Sequence, residues 1–196
     1  MPAITMLSLN QCFIVVLLAL PTCAASAQCI QVVIARHAEK ADDGTDDPHL
    51  TTEGKARAER LAQILTRANV VALYTTQYQR TQQTLAPLAA QTSLPIQVRP
   101  VTQTGPKVQA VQLAQEIMRK NKAGTIVIVG HSNTVDDLTA AFNATPVDEL
   151  AHNDYDSLFL LQVCEGEHTK VLRRDYTTAI SASTAAGKIS MQREKY

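Results

Sequence analysis

Apolar and polar positions fall in blocks along this chain, and several apolar blocks end abruptly in residues with chemistry. Val32-Val33-Ile34-Ala35 is a short apolar run with three β-branched residues, the pattern of a buried strand, and it turns polar at once into Arg36-His37. Val70 to Tyr74, Ile96 to Val98, Thr125 to Val129, Ser157 to Val163 and Val171 to Tyr176 read as further strands. Helical patterns lie between them. Thr51 or Thr52 caps a helix whose Leu61, Ile64, Leu65 and Ala68 share one face. The polar stretch Thr75 to Thr84 leads into a second helix, which Pro87 is expected to bend or to end in its first section. Val108, Val111 and Leu113 to Met118 predict a third helix ending near Asn121 to Gly124, and a short fourth follows Thr134. Strands alternating with helices predict one α/β domain with a mainly parallel sheet over residues 28–176. Residues 177–196, rich in Ser, Thr and Ala, read as a loosely ordered tail.

The amino terminus is patterned differently. Cys12 to Leu20 is a compact apolar run, followed by Pro21 and by Ala25-Ser26-Ala27, which fits an A-x-A cleavage site. Residues 1–27 therefore read as a signal peptide, cleaved between Ala27 and Gln28, and the protein as periplasmic or secreted. The run is too short for a comfortable membrane span. No Lys or Arg precedes it, which is unusual for a signal, and a buried first helix or strand is the alternative. Cys23 stands where a lipoprotein signal would place its cysteine, behind an ill-suited Pro21-Thr22. Export leaves Cys29 and Cys164, an even pair that invites a disulfide in an oxidising compartment. The 18 basic and 18 acidic residues cancel, which argues against a nucleic-acid scaffold. Trp is absent and aromatics are sparse, which argues against a stacking platform for single strands as well.

In an open α/β sheet, ligands bind outside the carboxyl ends of the strands. Three strand ends carry chemistry here: Arg36-His37, the turn bearing Arg80, and Gly130-His131. Two arginines suit the charged oxygens of a phosphoryl group, and a histidine can attack phosphorus while the other hydrogen-bonds the transferring group. The acidic stretch Asp42 to Pro48 reads as a solvated lid or rim, since it lacks the spacing of a calcium loop. Gly130-His131-Ser132-Asn133-Thr134 also approaches a serine-hydrolase elbow, but Thr134 stands where that motif needs its last glycine. A zinc site from His37, His131 and His49 or His152 lacks local ligand spacing. His49, His152 and His168 otherwise read as surface or loop residues without partners.

With these motifs in order, the chain resembles the histidine phosphatase superfamily, also called phosphoglycerate mutase-like. Arg36-His37-Ala38-Glu39-Lys40, Leu50-Thr51-Thr52-Glu53-Gly54, Tyr74 to Thr84 with its arginine, and Gly130 to Thr134 carry the likeness, which runs from about Val32 to Val163. Tyr155 to Phe159 resembles a segment of small exported members. The resemblance implies a three-layer α/β fold whose mainly parallel central sheet has helices on both faces and one antiparallel strand, Ser157 to Val163. It implies a phosphohistidine on His37, a pocket completed by Arg36, Arg80 and His131, a small phosphorylated substrate, and neither metal nor organic cofactor. It sets the antiparallel strand beside the one ending in Arg36, and so implies a Cys29–Cys164 disulfide. The chain departs from the family in its general acid. Arg99 to Lys107 contains no carboxylate, Ser132 stands where another branch has Asp, and Glu39 and Asp136 are the nearest candidates, with Asp42, Asp43 and Asp137 beside them in sequence. A missing strong acid favours good leaving groups. A non-catalytic phosphate- or phospholigand-binding protein and a mutase-like phosphotransferase are the alternatives.

Overall fold

In a computed structural model, which describes residues 28–142, 144 and 147–176, the apolar run at Val32 is the middle of β1 (Cys29–Arg36). The signal-peptide reading, Cys23 and the C-terminal tail lie outside the described residues. The chain continues through α1 (Thr52–Ile64), β2 (Val70–Thr75), α2 (Gln79–Thr92), β3 (Ile96–Val98), α3 (Pro106–Lys120), β4 (Thr125–Gly130), α4 (Val135–Ala141), β5 (Ser157–Cys164) and β6 (Lys170–Asp175). The sheet order is β3-β2-β4-β1-β5-β6. β1 pairs in parallel with β4, and β4 and β3 in parallel with β2, while β5 runs antiparallel to both its neighbours. This is the expected three-layer fold with one reversed strand.

Period-2 alternation sends the strand side chains to two cores. On one face Val33, Ala35, Val127 and Val129 meet Leu61, Ala62, Leu85 and Leu88 of α1 and α2. On the other, Val32, Ile34, Ile126 and Ile128 meet Ala110, Ala114 and Ile117 of α3 and Val135 and Leu138 of α4. The helices after β1 and β4 thus lie on opposite faces although the two strands are neighbours. That divergence opens a crevice at their carboxyl ends, and it falls at Arg36-His37 and Gly130-His131.

Thr51 is the cap of α1, its hydroxyl accepting from the Gly54 amide at 3.0 Å. α2 runs through Pro87 rather than ending there. Thr81, Thr84, Leu85 and Leu88 are buried on one face, and that packing outweighs the single hydrogen bond Pro87 cannot donate. Cys29 stands opposite Cys164 in the β1–β5 register, and the two form a disulfide.

Gly54 is where α1 touches the loop after β1. A Cβ there would sit 2.2 Å from the Glu39 carbonyl oxygen, an overlap only backbone movement relieves. Gly54→Ala is expected to lower the urea midpoint, with a loss of roughly 2 kcal/mol, because overpacking of this kind exceeds the gain in helix propensity. An unchanged or raised midpoint contradicts it.

Candidate active site

The two strand ends are tied together before any side chain is considered. Arg36 pairs with Gly130 in register, and the His37 amide donates to the Gly130 carbonyl at 2.9 Å. Gly130 has to be small, since a Cβ would lie 2.8 Å from Thr134 Oγ1. That hydroxyl in turn accepts from the His131 amide at 2.9 Å and fixes the loop carrying the second histidine.

The rings of His37 and His131 stand 5.4 Å apart, edge to face. His37 is only 4% exposed, and its Nδ1 lies 2.8 Å from the Ala38 carbonyl oxygen. A carbonyl only accepts, so Nδ1 carries the proton and Nε2 keeps its lone pair. Burial, aided by His131, Arg36 and Arg80, lowers the His37 pKa to about 3, against the raising effect of the Ala38 bond. His131 is lowered to about 4, by burial first and then by Arg80 and Arg36. Its Nε2 lies 3.1 Å from Thr76 Oγ1, which continues to Thr81 Oγ1 at 2.9 Å.

Both imidazoles are therefore neutral far below their ordinary range. Two of the five histidine signals in an NMR titration are expected to stay in the neutral form at about pH 5, and midpoints near 6.5 for all five contradict this. Below its ordinary pKa near 6.5 the unfolded chain binds more protons at these two positions than the folded one. The contribution to stability is complete above about 6.5 and is lost progressively as the pH falls toward 4 and then 3.

Two guanidiniums flank the pair. Arg36, at the end of β1, is buried, donates from Nη1 to the His152 carbonyl at 2.7 Å and to those of Ala151 and Asp154 at 3.2 Å, and stacks 4.0 Å from the Tyr155 ring centroid. Arg80, in the first turn of α2, stacks 4.2 Å from the centroid of Tyr78, whose ring meets His131 edge-on at 5.3 Å. The Nε of each arginine is buried without a hydrogen-bond partner among the described residues. So the four residues singled out at three strand ends converge on one crevice.

Among the described residues, neither acid candidate is hydrogen-bonded to His37 or His131. Glu39 is tied to Arg57, accepting from its Nε at 2.9 and 3.0 Å and from its Nη2 at 2.6 Å. Burial pushes the Glu39 carboxyl up, yet the Arg57 bonds prevail and hold it below the usual range. Asp136 lies in the first turn of α4 with one oxygen buried and unpartnered among the described residues. The charges bearing on His37 are those of His131, Arg36 and Arg80, and those bearing on His131 are Arg80 and Arg36.

Several neighbours carried no local signal. Asp47, expected in a solvated rim, instead accepts from the Gln79 amide at 2.9 Å at the start of α2 and lies 3.6 Å from Arg80. Arg57 bridges Glu39 and Asp156 and so holds the segment bearing Tyr155. His49 is not partnerless, since Gln83 donates to its Nδ1 at 2.7 Å, and His152 reaches the crevice through its carbonyl. No cluster of three His, Cys, Asp or Glu side chains able to hold a metal occurs among the described residues.

The family described as the histidine phosphatase superfamily (branch 1) matches residues 32–101. That segment spans Arg36, His37 and Arg80 and ends before His131. Among solved structures of this fold, the protein histidine phosphatase SixA complexed with tungstate is 16% identical, with a TM-score of 0.61 over 76% of this chain and 98% of its own. A mycobacterial glucosyl-3-phosphoglycerate phosphatase with inorganic phosphate is 15% identical, with a TM-score of 0.55 over 74% and 95%. A phosphoserine phosphatase from Entamoeba histolytica in complex with phosphoserine is 14% identical, with a TM-score of 0.56 over 72% and 94%. At these identities the likeness is one of fold. No curated protein sequence matches the chain.

Proposed function

We propose that the protein is a metal-independent phosphatase that hydrolyses phosphate monoesters through a phosphohistidine on His37. The observation that carries this is the state of His37: neutral, buried beside two guanidiniums, with its proton committed to the Ala38 carbonyl and its Nε2 lone pair free. A residue that only bound phosphate would do better as a cation. The unpartnered Nε groups of Arg36 and Arg80 are donors that a phosphoryl group between them would satisfy. The ligands in the related structures, tungstate, phosphate and phosphoserine, agree with this chemistry.

In the first step His37 Nε2 attacks phosphorus, the bond from phosphorus to the ester oxygen breaks, and the leaving group departs with its electron pair. Arg36 and Arg80 hold the non-bridging oxygens, and His131 faces the group in transfer. Water then attacks the phosphohistidine, the N–P bond breaks, and His37 returns neutral as phosphate leaves. With no carboxyl paired to either histidine among the described residues, the leaving oxygen has to accept charge itself. Aryl phosphates are therefore expected to react faster than alkyl phosphates by about tenfold or more. Equal rates contradict the missing donor.

The absent donor also favours a second reading, a phospholigand-binding protein without turnover. Phosphate release from an aryl phosphate, with and without chelator, separates the two. Chelator-resistant release supports the phosphatase. Phosphate binding that Arg80→Ala weakens, with no release, supports the binding protein, and transfer to an added alcohol in preference to water supports a mutase-like phosphotransferase. The disulfide accords with export to an oxidising compartment, and no helix among the described residues is long and apolar enough to cross a membrane.

A further inference from the structure

A cavity of about 340 Å³ opens behind the His131 loop, between the carboxyl ends of β2 and β4 and the start of α3. Val101, Pro106, Ala110, Leu113, Ile128 and Leu138 give it apolar walls. None of Arg36, His37, Arg80 and His131 lines it, but it adjoins the phosphate crevice at three residues. Thr76, on its wall, lies 3.1 Å from His131 Nε2, and Gly130 and Thr134 carry the loop that holds His131.

Among the described residues, the only charged ones on its lining are Arg99 and Glu116. They are spent on each other: Arg99 Nε donates to Glu116 at 3.0 Å and its Nη2 bonds the same carboxylate, which also accepts from Lys120. No unpaired cation on this wall awaits a second anionic group. Deeper, Thr75 is 3% exposed and its hydroxyl has no partner among the described residues, so one polar atom of an occupant can be met there.

We infer that this cavity receives the organic half of the substrate, and that the substrate class is a phosphomonoester of a neutral, largely apolar alcohol or phenol, not a phosphate bearing a carboxylate. The inference rests on the phosphatase reading and sharpens it. A phenol also fits the missing proton donor, because phenolate leaves without one. The volume suits a ring or a short chain, with the phosphoryl group held between Arg36 and Arg80.

Calorimetric binding of phosphonates, which share the head group and are not hydrolysed, tests it on the intact protein. Each methylene withdrawn from water is worth about fourfold in affinity. Hexylphosphonate and phenylphosphonate are thus expected to bind at least about tenfold more tightly than methylphosphonate, and 2-carboxyethylphosphonate no more tightly than methylphosphonate. Ala110→Phe, which fills the cavity, should erase the gain and leave methylphosphonate affinity within about twofold. Leu113→Trp serves the same purpose should the first variant fail to fold. A flat series with methylphosphonate still bound overturns this inference alone, as does a gain that survives a folded filling variant. Failure of all the phosphonates to bind overturns the phosphate site and the inference with it.

Discussion

His37→Ala is expected to abolish phosphate release from an aryl phosphate, by roughly 10³-fold or more, while the protein stays folded. The size follows from the role. In the proposed mechanism the imidazole supplies the electron pair that forms the new bond to phosphorus, and alanine supplies none. The fold is expected to tolerate the change because the ring's hydrogen bond is to its own neighbour, the Ala38 carbonyl, and what distant elements lose is ring contact with His131 and Tyr155 rather than a hydrogen bond. His131→Ala should cost less, about 10²-fold, since a group that donates or accepts a hydrogen bond in the transition state is worth less than the nucleophile. Steady-state assays with both variants, beside their circular dichroism, measure this. A His37→Ala enzyme retaining more than about a tenth of the rate contradicts the role.

The second large effect is on stability. Cys29 and Cys164 are 135 residues apart in sequence, so their bond closes most of the domain into one loop. The chain-entropy argument gives about 5 kcal/mol for such a loop, and measured losses for native disulfides span about 2–5 kcal/mol. The paired variant Cys29→Ser with Cys164→Ser is expected to lose about 3 kcal/mol in urea unfolding, and reductant should do the same to the natural protein and nothing to the variant. The bond joins two strands already in register, so the crevice should keep its shape and kcat/KM should hold where the variant remains folded. A loss below about 1 kcal/mol contradicts the expectation.

What the sequence made legible was local. The central strands β1, β4 and β5 were plain because each is a largely apolar run of six to eight residues, and the strand-end residues Arg36, His37 and His131 came with them. Arg80 was readable as the cation of a polar helix start. The helix through Pro87 was not, because its survival depends on what Leu85 and Leu88 pack against. Asp47, Arg57 and Tyr155 were out of reach for a related reason. Each acts on a residue at least 18 positions away, Arg57 on Glu39 and Asp156, Asp47 on Arg80, Tyr155 on Arg36, and no periodicity links such pairs. The disulfide partner came from the family's reversed strand, not from any spacing. The nearness of Glu39 to His37 in sequence says nothing of the arginine that occupies it.

The direct test of the central claim is to catch the intermediate. Mixing the protein rapidly with an aryl phosphate and quenching in denaturing alkali preserves a phosphohistidine, which acid destroys. Peptide mass mapping then locates the group. The expected result is one acid-labile phosphoryl group on the peptide containing His37, formed at least as fast as phosphate is released and missing from His37→Ala. Phosphate release with no phosphorylated His37 at any time point, or with the group on another residue, would contradict it.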